Sequence, residues 1–232
     1  MYFDKLSTNG FLHYAACSHP PPSRLRVFAS DREQITFPIH ERSVTVTIMS
    51  TYRPEFEAAL QLLARISDDM SVKGYSRPIL VGGGAAEYYS ASALMTGDID
   101  LCSPRQEDLE AIMQQHGFIR PSGPGMATRG WIHLELKLGF EIVASMPMDG
   151  SVDADHVLLV DDIGGGDGFA IISVEDLIAD RMGQYASGSA PEMIVQARIL
   201  LSLHPDADLD YLERRIRAES FGDHGIEDIN GE

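Results

Sequence analysis

Two cysteines and a single tryptophan are all that the 232-residue chain contains of those types. Cys17 and Cys102 lie far apart and in no CxxC spacing, which argues against a disulfide framework and a cysteine-held zinc site and fits a reducing compartment. Positive charge is scarce as well: 18 lysines and arginines face 35 aspartates and glutamates, a formal net charge of −17. Tight non-specific binding to nucleic acid or to an anionic membrane needs clustered cations, so the balance works against both. No apolar run approaches the ~20 residues of a membrane span, and FLHYAAC near the start is broken by His13 and too short for a secretory core. The expected location is cytoplasmic. Internal repeats and low-complexity tracts are missing too. What is present is enough chain for one large domain or two small ones around a real core.

Residues 1–48 differ from the rest, with PPP at 20–22 and five basic residues against four acidic ones. They read as a loosely attached, poorly ordered extension. SVTVTIM (43–49) alternates like a strand, without an obvious upstream partner. From Met49 the pattern sharpens. Phe56, Ala59, Leu60, Leu63 and Ile66 share one helical face, and Pro54 suits its first turn. PILV (78–81) reads as a strand, GGG breaks it, and AAEYYSASAL (85–94) as a helix. DIDLC (98–102) is the next strand, followed by a helix with a Ser103/Gln106 capping box that ends at Gly117. WIHLEL (131–136) and FEIVAS (140–145) form one expected hairpin, and HVLLV and FAIIS another around DDIGGGDG. That glycine-rich segment lacks the spacing of an EF-hand and is read as a turn. Three helices follow: EDLIADRMGQY capped by Ser173 with Asp176, EMIVQARILLSL opened by Pro191, and LDYLERRIRA after HPDAD. The expected division is 49–172 as an α/β core, 173–220 as a C-terminal helical segment and 221–232 as an acidic tail.

The chemistry concentrates at LVGGGAAEYYSASALMTGDIDLCS (80–103). Side chains two apart on a strand share a face, so Asp98 and Asp100 project together, about 7 Å apart along the backbone. Ile99 and Leu101 point the other way. Unpaired neighbouring carboxylates repel, and a hard cation between them removes that cost. Glycines just upstream let backbone amides approach a phosphate chain at a helix N-terminus. A dinucleotide-binding fingerprint fits poorly, because its third glycine is replaced by Glu87. His133 reads as a half-buried strand residue.

Two glycines, a helix and then Asp-apolar-Asp, with thirteen residues (85–97) between Gly84 and Asp98, resemble the active-site signature of the nucleotidyltransferase superfamily. IISVEDLIADR, QARILL and LDYLERRIRAE resemble its AbiEii-like toxin branch, over about residues 50–220. The resemblance implies an α+β fold, a mixed β-sheet flanked by helices with a C-terminal helical segment. It also implies a third carboxylate on a neighbouring strand; Glu141 matches best, with Glu135 as the competitor. Gly83 stands where the family often has Ser, and Glu141 where it usually has Asp. In this reading Asp98, Asp100 and Glu141 hold two magnesium ions, and Gly82, Gly83, Gly84, Thr96 and Arg181 contact the nucleotide. The implied reaction moves a nucleoside monophosphate from a nucleoside triphosphate to a hydroxyl of RNA or protein, with a cognate antitoxin as a partner of the toxin branch. The alternative is a non-catalytic protein of the same fold that binds a nucleotide or a partner.

Overall fold

The computed structural model describes residues 52–121, 130–136, 138–161 and 168–231, with the backbone of three earlier strands. Those strands are β1 (Arg24–Leu25), β2 (Gln34–Ile39) and β3 (Arg42–Thr47). β3 covers most of SVTVTIM and pairs antiparallel with β2, Thr45 opposite Thr36. The upstream partner escapes a sequence reading because QITFPI carries Pro38, which weakens a strand signal. The rest of residues 1–48, including Cys17, lies outside the described residues, and so does most of the DDIGGGDG turn.

α1 (Pro54–Val72) follows, with Pro54 in its first turn and Phe56, Ala59, Leu60, Leu63 and Ile66 all buried as the periodicity predicts. β4 (Ile79–Val81) runs directly into α2 (Gly82–Tyr89). The helix thus takes in the three glycines expected to precede it. It stops at Tyr89 rather than Leu94, since Ala91 and Ser92 have φ of 50° and 64°. Then come β5 (Asp98–Cys102), α3 (Gln106–Gln115) and β6 (Phe118–Ile119). The Ser103/Gln106 box is replaced by a tighter local bond: Ser103 Oγ accepts from the Arg105 N–H at 3.2 Å, and the helix begins at Gln106, two residues later than that box implies.

β7 (Trp131–His133) and β8 (Gly139–Ala144) form the first hairpin, with Trp131 opposite Phe140. β9 (Val157–Val160) and β10 (Phe169–Ile172) form the second. α4 (Val174–Ala186), α5 (Met193–Leu203), α6 (Leu209–Glu219) and α7 (Ile226–Asn230) complete the chain. Ser173 Oγ caps α4 by accepting from the Asp176 N–H at 3.1 Å, as its sequence predicts. The stretch expected as an acidic tail is folded back: Ile229 of α7 is fully buried, and its carbonyl accepts from Arg198 Nε at 2.7 Å.

One eight-stranded mixed sheet has the order β1-β9-β10-β4-β5-β8-β7-β6. β5 lies near its middle, antiparallel to β4 and parallel to β8. Ile99 and Leu101 on one face of β5 join Phe140, Leu80, Phe169 and the α1 side chains in a single core. That anchoring leaves the other face of β5, with its two aspartates, turned away from the core.

Candidate active site

Parallel pairing of β5 with β8 sets Asp100 directly beside Glu141 and Asp98 beside Gly139. Neighbouring strands lie about 4.8 Å apart, so in-register residues share a face, and the two aspartates and Glu141 occupy one patch of it. Glu135 instead sits exposed in the turn after β7, where its N–H donates to His133 Nδ1 at 3.4 Å. His133 is half-buried and stacks edge-on with Phe118.

The glycines matter through what they touch. Gly82 has a φ of +59°, and a Cβ there would overlap Asp100 Oδ2. A Cβ on Gly83 would overlap Thr96 Oγ1, and the Gly83 N–H donates to Asp100 Oδ2 at 3.3 Å. The N-terminus of α2 is therefore pressed against the acidic patch. Gly84 turns to the core instead: a Cβ there would lie 2.8 Å from Leu80 Cδ1, so its smallness serves helix–sheet packing. Thr96 Oγ1 donates to Asp98 Oδ1 at 3.2 Å and accepts from the Asp98 N–H at 3.4 Å.

Burial pushes the Asp100 carboxyl above the ordinary carboxylate range, and the charges of Asp98 and Glu141 push it further. The Gly83 amide and Arg181 oppose them. Asp100, Gly82, Gly83 and Arg181 all line one cleft of about 430 Å³. Arg181 is buried, and its Nε has no hydrogen-bond partner. Its Nη1 lies 3.5 Å from Asp180 Oδ2, so the guanidinium brings a buried positive charge, part-balanced by that carboxylate, to the wall of the cleft.

Several lining residues carried no signal in the sequence. Asp180, on α4, has its carboxyl raised by burial, opposed by Arg181 and by Gln184, whose Nε2 donates to it at 2.8 Å. Val143, Met146 and Pro147 make an apolar wall, and Asp149 and Glu219 add charge. Met148 and Asp149 hold left-handed φ values of 47° and 53° in the turn after β8, a strained backbone of the kind found around ligand clefts. Only the i,i+4 pair Asp180/Gln184 beside Arg181 could have pointed to that side.

The donor set of Asp98, Asp100 and Glu141 is all carboxylate oxygen on one face, and Asp100 is destabilised as an anion by its two neighbours. Both features fit a hard divalent cation. Among the described residues, the ligand atoms lying within 4.8 Å of one another belong instead to Asp153, Asp155 and His156. That exposed cluster already has a counter-ion, since Arg214 Nη1 lies 3.5 Å from Asp153 Oδ2, and its imidazole stacks on Tyr211.

Among solved structures, an antigenic nucleotidyltransferase-like protein from Paracoccidioides brasiliensis superimposes with a TM-score of 0.50 and 13% identity, over 78% of this chain and 99% of that one. The fold is nucleotidyltransferase-like. The antibiotic-resistance factor ANT(2'')-Ia superimposes with a TM-score of 0.46 and 17% identity, over 73% of this chain and 92% of that one. No family model and no curated protein matches the sequence. No helix among the described residues is long and apolar enough to cross a membrane.

Proposed function

We propose that this chain is a metal-dependent nucleotidyltransferase, of the AbiEii-like kind, that moves a nucleoside monophosphate from a nucleoside triphosphate to a hydroxyl of RNA or protein. The observation that carries the reading is the register of β5 with β8, which sets Glu141 beside Asp100 where the N-terminus of α2 meets the cleft. Asp98, Asp100 and Glu141 would hold magnesium, two ions in the full site. Bound magnesium would supply Lewis-acid stabilisation of charge on the phosphate oxygens and make the acceptor hydroxyl easier to deprotonate. The chain's own groups bind and orient. The N-terminus of α2, whose Gly83 amide is held by Asp100, would turn the positive end of its dipole toward the phosphates, and Arg181 would add positive charge. Thr96 sets the rotamer of Asp98. In-line attack forms the bond from acceptor oxygen to the α-phosphorus as pyrophosphate leaves, which requires positioning and charge stabilisation more than covalent help from the protein.

A second reading, a nucleotide- or partner-binding protein of this fold without transfer activity, is favoured by one contact: the Gly83 N–H is engaged by Asp100 rather than left free for a phosphate. Incubation with each α-labelled nucleoside triphosphate, magnesium and a cell extract separates the two. Transfer predicts labelled RNA or protein and released pyrophosphate, both lost with EDTA and in Asp98→Asn. No label from any of the four nucleotides would leave the binding reading.

A further inference from the structure

Glu87 lies inside α2 with its side chain fully buried, and burying an unpaired carboxylate is strongly unfavourable. It is not unpaired. Its Oε1 accepts from Arg53 Nε at 2.6 Å and from Ser92 Oγ at 2.9 Å. Its Oε2 accepts from Arg53 Nη2 at 2.9 Å and from the Thr96 N–H at 2.8 Å. Arg53 Nη2 also donates to the Thr96 carbonyl. Burial pushes the Glu87 carboxyl up, yet these donors outweigh it and hold the group below its ordinary value.

The pair thus grips both polar ends of a single residue, Thr96, whose N–H goes to the carboxylate and whose C=O goes to the guanidinium. Thr96 in turn contacts Asp98 through two hydrogen bonds and abuts Gly83. Buried ion pairs are poor sources of net stability compared with apolar packing, and their best attested use is to specify one geometry. The geometry specified here is that of the loop leading into the acidic strand.

We propose that Glu87 and Arg53 are positioning residues that hold Thr96, and through its hydroxyl Asp98, in the orientation a divalent cation requires. This rests on the nucleotidyl-transfer reading. Groups that orient metal ligands from behind typically change metal affinity 10- to 100-fold when altered.

The test is Mn²⁺ binding, followed by water-proton relaxation in the presence of a nucleoside triphosphate, for wild type, Glu87→Gln, Thr96→Val, Thr96→Ser and the Glu87→Gln/Thr96→Val double variant. Glu87→Gln and Thr96→Val should each weaken Mn²⁺ roughly tenfold. The double variant should fall no further than the worse single one, since both act through one hydroxyl. Thr96→Ser, which keeps that hydroxyl, should bind nearly as wild type. A merely structural pair predicts a lower melting temperature with Mn²⁺ affinity of the folded protein unchanged, or losses that add in the double variant, and either result overturns the proposal. If Glu87→Gln fails to fold, the half-buried Thr96 variants decide alone: Thr96→Val binding Mn²⁺ like wild type, or Thr96→Ser binding as poorly as Thr96→Val, refutes it. Wild type that binds no Mn²⁺ with any nucleotide refutes the transfer reading, and this proposal with it, whereas wild-type binding matched by every variant refutes the positioning alone.

Discussion

At the scale of single residues, close approach decides what each position can be. Gly82 is held at a left-handed φ with Asp100 Oδ2 where a Cβ would stand. Gly82→Ala should therefore cost roughly 1–3 kcal/mol in urea denaturation, from backbone strain and displacement of the carboxylate. A loss within about 0.5 kcal/mol would show that the approach is slack. The carboxyls of Asp100 and Asp180 are both raised, so the folded state binds their protons more tightly than the unfolded chain does. Lowering the pH from neutral toward the ordinary carboxylate range should relieve that penalty and raise stability. Glu87, Glu213 and Asp228 are shifted the opposite way, and the stability they contribute disappears as pH falls through their lowered values. Melting temperature against pH should thus peak on the acid side of neutrality, and Asp180→Asn should gain more at pH 7 than at pH 4; an equal effect at both would contradict the assignment.

Elements were legible where their signals are local. The DIDLC strand, the Ser173 cap and the apolar face of α1 all stand where periodicity and capping rules put them. The limits of α2 were not legible, because propensity puts glycine outside helices and only the nearness of Asp100, Thr96 and Leu80 explains three in a row at its start. Pairings across distant sequence stayed hidden for the same reason. Nothing local says that β5 lies parallel to β8, or that Glu87 finds Arg53 on the approach to α1. The two aspartates could be read from spacing, but their meeting with Glu141 rests on sheet order. Packing among the later helices has a similar long-range clasp. Asp176, fully buried on α4, accepts from Arg215 Nε at 2.7 Å and Tyr211 Oη at 2.9 Å, both on α6. Asp176→Ala strips that buried guanidinium of the partner at its Nε, leaving it Glu219 at 3.0 Å through Nη2, and should destabilise by about 2–4 kcal/mol in urea. A change below about 1 kcal/mol would mean that α4 and α6 are held by apolar contact alone.

For the molecule as a whole, β2 and β3 pair with each other, while β1 adds two residues at the edge of the main sheet. A chain beginning at Met49 should melt within about 3 °C of the full chain, and a drop of roughly 10 °C would make the first 48 residues part of the folding unit. The net charge of −17 gives no help in holding a triphosphate, so under the proposed function the cleft would have to do it locally, with the N-terminus of α2, Arg181 and metal. That requirement is the centre of the account. It is tested most directly by melting wild type and Asp98→Asn side by side, in EDTA and in magnesium with each nucleoside triphosphate. In EDTA the variant should melt at or slightly above wild type, because it removes one of the charges that destabilise Asp100. With magnesium and the right nucleotide at about 100 times its Kd, wild type should gain about 2.7 kcal/mol, or roughly 5–10 °C, and the variant should lose most of that gain. A wild-type melting temperature that no nucleotide moves, with or without magnesium, would contradict the assignment of this cleft to nucleotide and metal.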